Sequence, residues 1–224
     1  MEVDADDAFV PTEHQQLLQL LWEDVDATRV RSDEAVPQSA RRQFLRSMFA
    51  VIEAATWILK QEAIEQHSAG AVVFTPSELA LLADTSPVLE SHGTVRDAPT
   101  GVRFAPNVLF ASKCHARAHS YACVVDVSDH RWDLLRRSAR VRNRLMHPKQ
   151  LASMHVSDEE LSDARRSLSW FAKMSSLAQL EASGWFAYKG AAKIPDEQRA
   201  SEVQQLLKEK MLELRRAIED TLKP

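Results

Sequence analysis

The spacing of apolar residues along the chain predicts long amphipathic helices. The clearest case is a set of apolar residues that recur every three or four positions: Phe44, Met48, Ile52, Ala55 and Leu59. Residues with this period share one face of an α-helix. The run starts near Gln38 and ends at the helix-stopping stretch "HSAG", residues 67–70, so we expect one helix of roughly 30 residues. Such a helix suits the spine of a helical bundle.

The first helix is predicted to begin after Thr12. Thr12 and Gln15 form the pattern of a capping box, in which each side chain binds the backbone N–H of the other residue. We expect this helix to end near Arg31. Its apolar face is expected to contain Leu17, Leu20, Leu21 and Val25.

The last helix is predicted after Pro195. Its apolar residues are again spaced by three or four positions: Val203, Leu207, Met211, Leu214, Ile218 and Leu222. A stripe of this kind has to be covered by an apolar surface. Either the body of the domain or another subunit would provide one.

Capping patterns also mark the helices in between. Thr75, Pro76 and Glu78 predict a short helix through Leu82, and a second capping box predicts a helix over "ELSDARRSLSWFAKMSSL". The residues of that second box are Ser157 and Glu160.

Two further helices and a hairpin are predicted in the middle of the chain. Asn107 is expected to cap a helix that runs to about Val125, and Ser128 or Asp129 to cap the next one. A small β-hairpin is expected from residues 94–97 and 102–104, on either side of "APTG".

Composition agrees with a globular, mainly helical protein. Apolar residues make up 45% of the 224 positions and charged residues 27%, while glycine occurs only five times. Two cysteines and the lack of a leader pattern favour a cytoplasmic protein with no disulfide framework, and no apolar run is long enough for a membrane span.

We predict an all-α bundle with a small hairpin insertion, divided into residues 1–37, 38–180 and 181–224.

Charge is distributed unevenly along the chain. The net charge is −4, yet residues 129–149 contain seven Lys or Arg and only two Asp. The strip ends in "RVRNRLMHPK", residues 140–149. A local basic strip attracts a polyanion even when the net charge is negative. We therefore interpret Arg140, Arg144 and Lys149 as candidate contacts to a phosphate backbone.

Three residues of the strip have the chemistry of RNA cleavage. His147 precedes a proline and should therefore lie where the helix ends. An imidazole there can take a proton from a ribose hydroxyl and give one to the leaving oxygen, while Arg142 stabilises charge on the phosphorus centre. Asn143, one turn before His147, can orient the imidazole or the ribose. This chemistry requires no metal ion or cofactor.

The same segment resembles a known family. The decapeptide is followed by "VSDEEL" and "SWF" and preceded by the long helix "RRQFLRSMFAVIEAATWILK". Together these resemble bacterial members of the HEPN superfamily, the higher eukaryotes and prokaryotes nucleotide-binding domain. The hallmark of that superfamily is Arg, a polar residue, three variable positions and His, which corresponds here to Arg142, Asn143 and His147. The resemblance covers about residues 38–180.

The resemblance implies a helical bundle that forms a homodimer, in which two motifs meet in one cleft. Active members are metal-independent endoribonucleases, many of them toxins or antiviral effectors that are controlled by an antitoxin or another regulatory protein. In some members an acid on the long early helix joins the site, and Glu53 corresponds to it. Members modified by a nucleotidyltransferase antitoxin often have tyrosine two residues after the His, whereas this chain has Lys149.

Other interpretations of the same residues stay open. A helical module without catalytic activity could bind RNA or a protein through the same surface, and cations near a helix C-terminus are favourable for electrostatic reasons alone. His115, His119 and Cys123 lie four residues apart, a spacing that suits zinc. Because a fourth ligand is not evident, we expect no metal site.

Overall fold

The computed structural model describes residues 12–28, 36–191, 195 and 197–221. Most of these residues are helical, and the strands form one two-stranded antiparallel sheet, so the mostly α fold with a small hairpin is confirmed. Among the described helices, none combines the length and the apolar composition required to cross a membrane. The elements are α1 (Glu13–Thr28), α2 (Gln38–Ser68), α3 (Pro76–Leu82), β1 (Thr85–Leu89), β2 (Val95–Pro99), α4 (Phe104–Ala118), α5 (His130–Met146), a 3-10 helix (Leu151–Met154), α6 (Asp158–Ala191) and α7 (Glu197–Thr221).

Helix α2 lies at the centre of the bundle, with α1, α4, α5 and α6 packed around it. All five apolar residues that predict this helix are buried. Four of them belong to the main core together with residues of the four surrounding helices, Val25, Val108, Leu135 and Leu168, while Leu59 packs in a smaller cluster with Ala111 and Ala178. The position and the period of α2 therefore follow directly from the sequence.

The inward face of α1 differs from the prediction. Val25 is fully buried and Leu21 packs against the core, whereas Leu17 and Leu20 are exposed. Leu18 and Trp22 contact the core in their place. Residues 18, 21, 22 and 25 fit one helical face, while 17 and 20 lie beside it. The expected end near Arg31 falls outside the described residues.

All three capping boxes are confirmed. In α3, for example, the Glu78 backbone N–H donates to Thr75 Oγ1 at 3.2 Å, and the Thr75 N–H donates to Glu78 Oε2 at 2.8 Å. Side chain and backbone pair in the same reciprocal way at Thr12 with Gln15 and at Ser157 with Glu160. Each box satisfies two backbone donors that a helix start would otherwise leave unpaired.

The hairpin is present, but its predicted register is wrong. Strand β2 overlaps the predicted residues 94–97, yet it pairs with β1 and not with residues 102–104. The turn lies at Gly93, whose φ of 76° suits glycine, so the chain reverses before β2. Residues beyond "APTG" enter α4.

Helix α4 begins and ends earlier than predicted. Arg103 is the residue before its first turn, and Asn107 lies within the helix rather than capping it. The helix ends at Ala118 instead of Val125 because Ser120 adopts a left-handed backbone with φ 58°. The N–H of Tyr121 then donates to the Ala116 carbonyl at 3.0 Å, as in a Schellman motif.

The later helices extend the bundle. Asp129 caps α5 through the N–H of Arg131 at 2.9 Å, as expected. Helix α6 runs without a break through residues 180 and 181, between which the sequence predicts a domain boundary. Helix α7 packs on α6. A side chain at Gly184 would collide with Met211, so this part of the predicted stripe covers the body of the protein. Leu222 lies outside the described residues.

A buried lysine joins the hairpin to the core. Lys60 on α2 is fully buried, and its ammonium donates to the Leu81 carbonyl at 3.0 Å and to Asp84 Oδ1 at 2.5 Å. A charge in this position is stable only when it is paired. The pair therefore attaches the turn between α3 and β1 to the central helix.

We expect Asp84→Asn to destabilise the fold by roughly 1.5–3 kcal/mol, because Lys60 loses its charged partner. Asparagine keeps the shape of the side chain and tolerates the left-handed backbone at this position, where φ is 53°. Urea denaturation gives the free energy of unfolding. The matched control is Asp97→Asn on the exposed side of β2, which should change stability by less than about 0.5 kcal/mol. Equal effects of the two substitutions would contradict a structural role for the Lys60 pair.

Candidate functional site: a groove between α2 and α5

The Arg-Asn-x3-His motif lies at the C-terminal end of α5. Val141 and Leu145 are buried in the main core, and they fix the rotation of the helix about its axis. The last intrahelical bond runs from the His147 N–H to the Asn143 carbonyl at 3.1 Å. His147 itself has φ −128° and ψ 61°, so the chain leaves the helix there, as the following proline predicts.

Arg142 contacts the central helix. Its Nη2 donates to Glu53 Oε1 at 2.6 Å, and its guanidinium carbon lies 5.7 Å from the centre of the Phe49 ring. Arg142 Nη1 also lies 3.5 Å from Asn143 Oδ1. Two residues 89 positions apart in sequence, both predicted as site residues, are therefore in direct contact.

This contact lies in an open groove of about 440 Å³ between α2 and α5. The lining residues are Arg46, Phe49, Ala50, Glu53, Arg142, Leu145 and Met146. The groove combines two cations, one carboxylate and an apolar floor. Such a surface can hold one phosphate group together with a flat apolar group such as a base.

Arg46 is a groove residue that the sequence analysis missed. It precedes Glu53 by seven residues, which is two helical turns, so the two side chains share a face of α2. This spacing is visible in the sequence, but it becomes informative only when Glu53 is known to face Arg142. The exposed guanidinium of Arg46 adds a second positive charge to the groove.

His147 is exposed at the exit of α5 and is not among the residues that line the groove. It follows Met146, which does line it. Lys149 lies two residues further on and is also exposed. His147 thus follows directly on a groove residue in the chain, and its side chain is exposed.

Arg140 and Arg144 face the other side of α5. They line a second groove, of about 380 Å³, between α5 and α6, together with three acids. Arg144 pairs with both carboxylate oxygens of Glu160 at 2.9 Å and donates to the His155 carbonyl at 2.6 Å. The structure therefore does not bring these two arginines together with Arg142, and Arg144 already has an internal partner.

A separate polar cluster is buried between α2 and α4. His115 is fully buried, with Nε2 at 2.6 Å from Glu62 Oε2 and Nδ1 at 2.6 Å from the Tyr121 hydroxyl. The His119 ring lies 4.3 Å from that of His115. The structure thus brings two of the three residues of the predicted zinc pattern together, and Glu62 in place of Cys123 completes the group.

Electrostatics in this cluster favour the ionised form of Glu62 and the neutral form of His119. Burial acts to raise the pKa of Glu62, but the hydrogen bond and the charge of His115 outweigh it, so that pKa lies below its usual value. Burial, assisted by the charge on His115, lowers the pKa of His119 to about 4. His119 is therefore neutral at physiological pH.

Comparisons with protein-family models, curated proteins and solved structures find no match to this chain.

The two arginines should differ sharply in their effect on folding. Both ion pairs are partly exposed to solvent, which reduces the contribution of charge to each. We expect Arg144→Gln to destabilise the protein by roughly 1–2 kcal/mol, since it removes two hydrogen bonds to Glu160 and one to the His155 carbonyl. Arg142→Gln should cost less than about 1 kcal/mol, because it removes a single bond to Glu53. Urea denaturation of both variants measures the difference. Equal costs, or the reverse order, would contradict this division of roles.

Proposed function

We propose that the chain is a metal-independent endoribonuclease of the HEPN type, acting on single-stranded or loop RNA. The observation that supports it best is the contact of Arg142 with Glu53. The first residue of the Arg-Asn-x3-His motif meets the acid of the early helix, as the resemblance implies, and both border a groove that an RNA phosphate can enter.

His147 would carry the proton transfers. The ribose 2'-hydroxyl gives its proton to an imidazole and attacks the adjacent phosphorus, and the 5'-oxygen leaves with a proton from an imidazolium. The products are a 2',3'-cyclic phosphate and a free 5'-hydroxyl. His147 is exposed, so its side chain can contact an RNA strand.

Arg142 would stabilise the charge that develops on the phosphorus oxygens. Glu53 accepts from Nη2, so the guanidinium is oriented before RNA binds and can offer its other donors to phosphate. Arg46, on the same side of the groove as Glu53, would hold a neighbouring phosphate. Asn143 and Lys149, both exposed near the end of α5, are the remaining candidate contacts.

A second copy of the chain would complete the site. His147 is not among the residues that line the groove. One copy of the chain also offers a single imidazole, which would have to act as both the base and the acid. A homodimer in which two helix exits face each other would supply two imidazoles and two guanidiniums to one cleft. An antitoxin or regulatory protein would then act by covering that cleft.

The test is RNA cleavage by the purified chain in buffer that contains EDTA. We expect wild type to cleave labelled single-stranded and stem-loop RNA to products with cyclic phosphate ends. His147→Ala should reduce the rate by at least about 100-fold, because general acid–base catalysis is lost. Arg142→Gln should reduce it comparably while the fold is retained.

The matched control is His130→Ala, which removes an exposed imidazole at the opposite end of the same helix. It should cleave at the wild-type rate. Wild-type activity in His147→Ala, or equal loss in the His130→Ala control, would remove the assignment.

One observation favours a second function, that of a binding module without catalytic activity. Arg142 is already neutralised by Glu53, so phosphate has to compete with a carboxylate at 2.6 Å. A module of this kind would retain RNA or a protein partner without cutting RNA. Retention of intact RNA by wild type in EDTA, equal in His147→Ala, would support it against the nuclease.

A further inference from the structure

The buried cluster between α2 and α4 lies apart from the groove. Glu53 and Glu62 both belong to α2 and are nine residues apart, which corresponds to about 13 Å along the axis and about half a turn around it. The cluster therefore faces a different side of the helix. Its chemistry does not depend on the proposed nuclease.

Three metal-binding side chains converge in this cluster. His115 lies in the last turn of α4, and His119 follows one turn later at the end of the helix. Glu62 comes from α2 and contacts His115 directly. One ligand atom from each of the three lies within 4.8 Å of the other two.

Neighbouring groups hold these ligands in place. The hydroxyl of Tyr121 lies 2.6 Å from His115 Nδ1, and Gln179 Nε2 donates to Glu62 Oε2 at 3.3 Å. Metal-bound imidazoles typically have the second nitrogen held by such a hydrogen bond, and metal-bound carboxylates are hydrogen-bonded in turn. The left-handed Ser120 ends α4 so that Tyr121 reaches back to the ring.

We propose that Glu62, His115 and His119 form a zinc site that joins α2 to α4. Two imidazoles and one carboxylate are a ligand set that suits Zn²⁺. Tetrahedral ligation at metal bonds of about 2.0–2.1 Å separates ligand atoms by roughly 3.3 Å. Glu62 Oε2 and His115 Nε2, now 2.6 Å apart, would have to separate by less than about 1 Å to admit the ion.

The fourth ligand would be a water molecule. Glu62 also lines an open cavity of about 650 Å³ between α1, α2 and α6. Water and ions can reach the carboxylate from this side, while the two histidines are shielded behind it. The site is therefore closed on the α4 side and accessible through Glu62.

Zinc binding would change the hydrogen bonds of His115. A carboxylate only accepts, so in the metal-free cluster Nε2 donates to Glu62. Zinc would take the place of the proton on Nε2, and the imidazole would then hold its single proton on Nδ1 and donate it to the Tyr121 hydroxyl. A ring that has one proton before and after zinc binds releases none to solvent.

The competing interpretation is a buried hydrogen-bonded triad with no affinity for metal. The two are separated by titrating ZnCl₂ into the EDTA-stripped, dialysed full-length chain against a fluorescent zinc chelator. We expect one Zn²⁺ per chain, and thermal unfolding that shifts upward with zinc concentration because only the folded state binds. Co²⁺ in place of zinc should give the visible absorption of a four-coordinate site.

Two substitutions test the ligands. Glu62→Gln keeps the shape and a hydrogen-bonding side chain, and His119→Ala removes one imidazole; each should weaken zinc binding at least about tenfold. The control His92→Ala, at the exposed hairpin turn, should bind as wild type does.

Absence of saturable binding to the wild-type chain would overturn the site, whatever the folding of the variants. Binding by both ligand variants as tight as in His92→Ala would place the zinc elsewhere and overturn it equally. RNA cleavage in EDTA is a separate measurement, so failure of one proposal leaves the other standing.

Discussion

The buried packing of α2 is the constraint on which the rest of the structure depends. This 31-residue helix is surrounded by four others and buries residues on several sides. A charged residue of α2 that a neighbouring element covers needs a partner from that element. Fully buried Lys60 pairs with Asp84 beside the hairpin, and partly buried Glu62 with His115 of α4. The more exposed Glu53 pairs with Arg142 of α5.

These pairs contribute more to specificity than to stability. Removing two charges from water offsets much of the attraction between them, so an ion pair adds little over a well-packed apolar pair. A charge buried against the wrong neighbour, by contrast, is strongly unfavourable. Fully buried Lys60 therefore disfavours any arrangement that moves Asp84 away, and the register between α2 and the hairpin is restricted accordingly.

Features with a strong signal in neighbouring residues could be predicted from the sequence. The Ser157 capping box needs only residues three apart, so the start of α6 follows from the sequence. The early end of α4 depends on a left-handed backbone at Ser120, and serine is not a residue type that predicts this conformation. Glu62 was missed for a different reason, because its partner His115 is 53 positions away in the chain.

The basic strip of α5 shows why a dense run of charges in sequence is not yet a charged surface. Successive residues rotate by about 100°, so Arg140 and Arg144 lie about 40° apart while Arg142 lies on the opposite side. Arg144 pairs with Glu160 at the start of α6, whereas Arg142 pairs with Glu53 and lines the open groove beside Arg46. Two arginines that are two residues apart in sequence thus border different grooves, and the packing of the helix separates them.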